Sequence, residues 1–466
     1  MRKFSFVFIL LIGGAGRLMA SPLVPVIEIE EEIYSYRPAN NGSDPMWDYG
    51  SSNIVRVGEQ VSVSGLETLE NVAPYNNTQC TFWQRGRTGW LVVQSDQTGR
   101  TREPCPLAVH PAQNLIYLSA NPTLNPLGRG GGGPAKPVIQ IFAANDREQR
   151  PPVVVMPVWS EKAAQSSFNE HSYRSFAADG TKNQLVLFQN VNYSHAEWAF
   201  RDGSGRWSAQ GQLQWPWGSE YAQPKPIRLC YSNVSVSENS VHFVGVSDII
   251  EPNEPWRLYR RQFSGKDGDF QFRRLFYTRN SDINAKQFDP WLEISNREKT
   301  AGLIKPGDLW LAPDGAAHIV WEEIAIDTRL RKAFFPDAKQ RNELNYAIVR
   351  NGVVVKRTTL VAKNEDEPGP FPHLPRFHMT PDKRLFVFFY VDGTDERGKA
   401  IMENRLVEVN GDGALGPIVS LPLIQPLSRY MTATVRTGSA PSFLLDLLGT
   451  AAGTPRTVRY ARIRLN

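Results

Sequence analysis

Residues 171–200 read HSYRSFAADGTKNQLVLFQNVNYSHAEWAF: an apolar run, a turn of Asp, Gly and Asn, and a second apolar run. Val, Leu and Phe bounded by turn formers are the signature of two antiparallel strands. The same phrase recurs along the chain as IVRVGEQVSVSG (54–65), LAVHPAQNLIYLSA (107–120), NVSVSENSVHFVGV (233–246), LWLAPDGAAHIVWEE (309–323), RFHMTPDKRLFVFFYV (376–391) and TATVRTGSAPSFLLDLL (432–448). With the first quoted stretch there are seven copies, their turns roughly 54 to 76 residues apart. One such hairpin cannot bury both of its apolar faces alone, so the repeats must pack on one another. The expected fold is all-β, a seven-bladed β-propeller of four-stranded antiparallel blades over residues 46–466.

The 466 residues would fit two or three ordinary domains, but a repeat running to the end argues for one toroid. The start, MRK followed by FSFVFILLIGGAG and LMAS, has the charged region, short apolar core and small-residue end of a secretory signal over 1–20. The apolar run is too short for a typical membrane span, so no transmembrane segment is expected after its removal and the chain is expected to be secreted or periplasmic. Residues 21–45 contain VPVIEIEEEIYSY, a strand expected to pair with RTVRYARIRL at the other end and close the ring. Of the three cysteines, Cys80 and Cys105 flank neighbouring strands and form the one disulfide candidate in an exported chain, leaving Cys230 buried. The net charge of +5 is dispersed rather than gathered in basic runs with interleaved aromatics. Nucleic acid is therefore excluded as a partner, and an acidic polymer is favoured.

LGRGGGGPAKP (127–137) is read as a loop within the second blade, since its glycines do not sit between a strand and a helix as phosphate loops require. AIDTRLRKAFFPDAKQRNELNYAI, after Glu323, carries helix formers and is expected to hold a short helix.

If every repeat turns on one face of the ring, the residues entering each first strand and leaving each second strand share the opposite rim. That rim collects the chemistry: Trp47, Asp48, Tyr49, Arg102, Glu103, His171, Tyr173, Arg174, His195, Arg228, Tyr231, Asp308, His373, Arg376 and Tyr430 among others. His171 and His195 flank one hairpin, and two imidazoles can divide acid and base work near neutral pH. Tyr231 opens the next blade in the same register. Arg174, Arg228 and Arg376 have the forked donors that match a carboxylate. His, His, Tyr and Arg together suit β-elimination on a uronate polymer. Two alternatives stay open: a glycan-binding ring without catalysis, using Trp47, Tyr49, Tyr173 and Tyr430, and a hydrolase using paired carboxylates from Asp308, Glu322 and Glu323.

These residues resemble the BNR-repeat propellers of the sialidase superfamily, and within it the ulvan lyases and the L-rhamnose-α-1,4-D-glucuronate lyases. The resemblance implies a carbohydrate-active enzyme, a polysaccharide lyase in which His171, His195 and Tyr231 serve as acid and base. It also implies that arginine binds the uronate; Asp308 and His373, by their place on the same rim, are further candidates for binding the substrate. Where those lyases carry a further arginine this chain has Val246 and Ser247, and Arg257 in EPWRLYR, read as reaching in from the following loop, is the candidate replacement. Sialidase boxes of the S-x-D-x-G-x-x-W type are absent; RDGSGRW (201–207) is a distorted echo of one. Related propellers hold calcium or zinc in the channel, so the resemblance leaves a channel ion possible without naming its ligands.

Overall fold

The computed structural model describes residues 23–465 except 48–49, 147–149, 164–167, 170, 267, 396 and 411–412, with the side chains of 96–98 also outside the description. The expected leader over 1–20 and the rim residues Asp48 and Tyr49 lie outside the described residues.

Seven four-stranded antiparallel sheets succeed one another, each holding one copy of the repeat as its first two strands. Their first strands are Ile54–Val57, Leu107–His110, Arg174–Asp179, Leu229–Ser237, Leu303–Leu311, Phe371–Met379 and Leu427–Thr432. In blades 1 to 6 the four strands are consecutive in order, although in blade 4 a two-residue strand pair intervenes before the third. Blade 7 takes its outermost strand from the other end of the chain: Val26–Ser35 pairs antiparallel with Thr454–Arg464, from Val26 opposite Arg464 to Ser35 opposite Thr457. The acidic run of the first strand meets the basic run of the last, with Glu28 on Arg462 and Arg464 and Glu32 on Arg459. Tyr34 stacks on Trp83 of blade 1 at 5.3 Å, so one strand ties three parts of the ring junction together.

Side-chain alternation explains why the repeats read as unbroken apolar runs. Successive residues of a strand point to opposite faces, and in a ring of upright blades each face meets a different neighbour. In LFVFFYV, Phe386, Phe388 and Tyr390 pack on blade 7 with Leu445 and Leu447, whereas Val387, Phe389 and Val391 pack on blade 5 with Tyr346 and Leu344. Val186 and Phe188 likewise face blade 4, and Leu185 and Leu187 face blade 2. Seven such clusters lie between the seven pairs of neighbours. Each blade is thus the core of the next.

The turn face is closed. The long turn of blade 7 crosses it, with Ser439 Oγ accepting the Arg56 amide of blade 1, Thr437 O the Val109 amide of blade 2, and Arg436 O the Ala178 amide of blade 3. The side chain of Arg436 ends on Asp308 of blade 5 at 2.7 Å. Gly438 makes this possible, because its φ is +90° and an added Cβ would lie 2.1 Å from the Val109 carbonyl.

Among the described residues two α-helices interrupt the blades, both between second and third strands and therefore on the open rim. α2 (Thr328–Phe334) is the helix expected after Glu323. α1 (Glu254–Ser264) corrects the sequence reading, which took this stretch as loop; its signals were the Asn253 cap, a proline in the first turn and Gly265 in the left-handed conformation after the last. The three cysteines are buried thiols with no disulfide between them. Cys80 and Cys105 share the cluster between blades 1 and 2.

Candidate functional site

On the open rim a cleft of about 560 Å³ is lined by Tyr75, Arg102, Gly132, Gly133, Pro134, Asn169, His171 and Asn192. All of these sit on connections between strands of blades 1 to 3, the segments a propeller can vary without disturbing its ring. The glycine-rich loop, Gly132 and Gly133 included, forms one wall.

His171 is held through one nitrogen. Its Nδ1 lies 2.6 Å from Glu103 Oε1, and the carboxylate is buried while the imidazole is about a third exposed. A carboxylate on Nδ1 fixes the tautomer with the proton there, which leaves the Nε2 lone pair for the cleft. Arg102 stands beside this pair, 3.6 Å from Glu103, with Nε on the Asn41 carbonyl at 2.8 Å. Gly42 gives the guanidinium room, since a Cβ there would meet it at 2.8 Å. Tyr75 covers Arg102, its ring 5.1 Å from the guanidinium carbon. Tyr75 also holds φ at +94°, a conformation that is costly for a bulky residue and persists only where surroundings over-determine it. Hydrogen bonds from Asn41 to its carbonyl and from Gly131 to that of Pro74 supply that restraint.

Behind His171 runs an aromatic stack: Tyr173 at 4.8 Å, then Tyr231 at 5.2 Å, then Trp47 and Phe272. Burial drives the Tyr231 phenol far above its ordinary value, and the Tyr173 phenol also. Burial thus favours the neutral phenol at both. Its φ of +48° accompanies a bulge between Cys230 and Asn233.

The structure brings His171, Tyr231 and Arg228 into one connected group and leaves the other expected residues elsewhere. His195 does not end the second strand of its hairpin: that strand stops at Val191, a tight turn follows, and His195 opens the third strand opposite Gln214. It bonds Ser194, Glu197 and Gln212 there, one strand further from the axis, and is not among the residues lining the cleft. Arg174 is buried with its guanidinium on the carbonyls of Pro104 and Glu103, so it holds the segment that carries Glu103 and does not face the cleft. Arg376 holds the Gly307 carbonyl in the same way. Arg228 pairs with Asp248 beneath aromatic rings. Arg257 lies on α1, 3.6 Å from Glu254, instead of reaching in from a loop. Val246 and Ser247, where the resemblance expects arginine, are buried in blade 4 with Ser247 Oγ accepting the amides of Arg273 and Arg274. Tyr430, proposed for the sugar-binding rim, is buried against Phe388.

His373 makes a second, different site. Nδ1 lies 3.0 Å from Glu322 and Nε2 3.1 Å from Asp392. Burial alone would lower its pKa, but the hydrogen bond and charge of Glu322 outweigh it and the pKa is raised. Glu322, fully buried, is correspondingly depressed to about 2 against its own burial by Lys305 and His373. Glu323 is buried among Ser295, Trp321, Arg297 and Arg357. Asp308 is taken by Arg436 and the Phe377 amide. The three acids of the hydrolase alternative are therefore each committed to partners inside the blades.

The same facts bear on a channel ion. Among the described residues no group of three or more His, Cys, Asp or Glu is placed to hold a metal. The buried carboxylate at the closed face, Asp308, already has the Arg436 guanidinium where a cation would sit. These donors do not fit a channel calcium or zinc.

No family model matches this sequence, and no curated protein sequence matches it. The BNR-repeat resemblance thus gains no support from a family match. Solved structures do match. The likeness is one of fold. The chain is similar to an ulvan lyase of a new polysaccharide lyase family, with a TM-score of 0.50 and 7% identity over 94% of this chain and 95% of that one. It is also similar to the α-L-arabinanase of Penicillium chrysogenum, at a TM-score of 0.43 and 9% identity over 94% of this chain and 98% of that one. A protein of unknown function from Dyadobacter fermentans aligns with a TM-score of 0.42 and 9% identity, covering 95% and 99%.

The sequence reading named Arg102 and Glu103 on this rim but gave them no role, and it did not name Tyr75, Asn169 or Asn192. Arg102 and Glu103 were visible as entry residues of the second blade. Tyr75 lies in APYNNTQ, an ordinary polar loop by composition, and only the folded backbone reveals its strain.

Proposed function

We propose that this propeller binds an acidic polysaccharide on its open rim and cleaves it by β-elimination in the His171 cleft. The observation that carries the reading is His171 fixed through Nδ1 on a buried carboxylate, with Nε2 left for a cleft that also presents Arg102. Arg102 binds the uronate carboxylate by its fork and draws charge from the adjacent carbon. His171 Nε2 takes the proton from that carbon, the electron pair forms a carbon–carbon double bond, and the glycosidic oxygen on the next carbon departs. Tyr75, in the cleft wall, donates the proton to that oxygen. Tyr231, expected from sequence to share the acid and base work, is buried behind Tyr173 and acts as a positioning residue for His171. His195 has no part in the step. The ulvan lyase likeness agrees with this chemistry through fold alone, and a cleavable leader at 1–20 would deliver the enzyme to where such polymers occur.

The test is incubation with a panel of uronate polymers, following both the absorbance of the unsaturated product and released reducing ends. The chromophore is expected with at least one polymer and absent in His171→Asn. Reducing ends without chromophore would turn the reading toward hydrolysis, and binding without either product toward a glycan-binding ring.

A further inference from the structure

Next to the cleft wall at Asn192 stands Tyr193, half exposed, its ring stacked on Phe270 with centroids 6.2 Å apart and planes 12° from parallel. Arg228 braces the pair: its guanidinium carbon lies 3.9 Å from the Tyr193 centroid, 5.4 Å from Phe270 and 5.7 Å from Tyr173. Arg228 is itself buried and ion-paired with the buried Asp248. An exposed tyrosine on a turn is ordinarily free to sample rotamers, and ordering it costs entropy when a ligand arrives. Here that cost is already met by a stacked partner and a clamped cation. The arrangement is a pre-organised aromatic face with no role in the core.

Order around the ring adds the second half of the argument. Tyr75 belongs to blade 1, His171 to the link entering blade 3, Tyr193 to the turn after the second strand of blade 3, and Phe270 and Arg228 to blade 4. His171 thus has an aromatic residue on either side. Asn192, with φ at +48°, turns the chain so that consecutive residues serve the cleft and the platform.

We propose that Tyr193, stacked on Phe270, is a sugar-binding subsite that holds a pyranose ring of the glycan beyond the reacting uronate, so that cleavage falls inside a chain. The axial C–H bonds of a pyranose present an apolar, weakly positive face that suits the negative face of an aromatic ring. This inference rests on the rim reading above for the position of the scissile bond, and it needs no charge on the sugar it binds.

The experiment measures binding of oligosaccharides of increasing length to the full-length His171→Asn protein, with and without Tyr193→Ala, by calorimetry. The probes are oligomers of ulvan, galacturonate, alginate and hyaluronan, with neutral arabino- and xylo-oligosaccharides beside them. Tyr193→Ala is expected to weaken the longer oligomers by about tenfold and to leave the shortest unchanged, while Tyr193→Trp restores the affinity. Equal affinities in both proteins at every length, or an equal loss at every length, would overturn the subsite, and so would failure of every oligomer to bind. Length-dependent loss with neutral oligosaccharides, together with no unsaturated product from the wild type, would keep the subsite and remove the lyase. Unsaturated product that depends on His171, with no length-dependent effect of Tyr193, would do the reverse.

Discussion

Two histidines on the open rim enter the first strands of blades 3 and 6, and each rests on a buried glutamate, yet they are built for different work. His171 has one nitrogen on Glu103 and lines a cleft; His373 has both nitrogens on carboxylates, Glu322 and Asp392. One tethered nitrogen leaves a lone pair for a proton, whereas two tethered nitrogens hold a cation. The surroundings agree. Beside His171 stand Arg102 and a strained Tyr75, and beside His373 stands Lys305, which with the imidazolium balances Glu322. Backbone strain occurs at both, at Tyr75 and at Leu374, whose amide bonds Glu322. Strain and a paired histidine therefore do not by themselves mark catalysis; the proposed chemistry rests on His171 having, among the described residues, only one nitrogen on a carboxylate.

Exchanging each histidine for asparagine breaks this comparison most sharply. His171→Asn should lower the elimination rate by about a thousandfold with the melting temperature nearly unchanged. His373→Asn should leave the rate within a few fold and cost about 2 kcal/mol in urea unfolding, because buried Glu322 loses one of its cationic partners. Equal rate losses from the two would erase the distinction.

Glu103→Gln comes next. It keeps the shape but no longer enforces the proton on Nδ1, so kcat should fall by about a hundredfold or more. Arg102→Lys should raise KM by about tenfold with a smaller loss in kcat, since an ammonium replaces a fork that matches the carboxylate.

Stability against pH sharpens the comparison from another direction. Burial lowers the pKa of His110, His318 and His378 to about 4 and that of His242 to about 3. A histidine depressed in the fold contributes its stability above the unfolded value of about 6.5, and loses it as pH falls toward the folded value. His373 is raised instead, so its contribution is complete below about 6.5 and is lost as pH rises through its folded pKa. Melting temperature should therefore drop from pH 6.5 toward 4 in wild type and in His373→Asn alike, and only the wild type should also lose stability as the pH rises above 6.5. The smallest effect is expected at Arg257→Ala on α1, with less than about a twofold change in rate.

The fold was legible because each blade repeats one physical problem: two strands with apolar residues on both faces need two neighbours. Apolar runs such as LFVFFYV showed the repeat, and the need to cover a sheet edge carried the architecture to its closing strand; the opposed charges of EIEEEI and RTVRYARIR were a further signal left unread. The site was legible only as a rim. His171 could be placed on it from chain order, but whether a histidine is tied by one nitrogen or two depends on Glu103, Glu322 and Asp392, which are distant in sequence and meet only across blades. His195 lies apart from the cleft for a local reason, since the hairpin ends four residues before it and the histidine passes to the next strand. Arg174 and Arg376 share the register of the rim but are turned inward by the carbonyls of Pro104 and Gly307, a choice that spacing does not show.

Mass spectrometry of the fragments from a cleaved uronate oligosaccharide tests the central claim most directly. Wild-type protein is predicted to leave new ends one water lighter than hydrolysis would give, with His171→Asn leaving the oligosaccharide intact. New ends carrying the added water, or unsaturated ends still formed at the wild-type rate by His171→Asn, would contradict it.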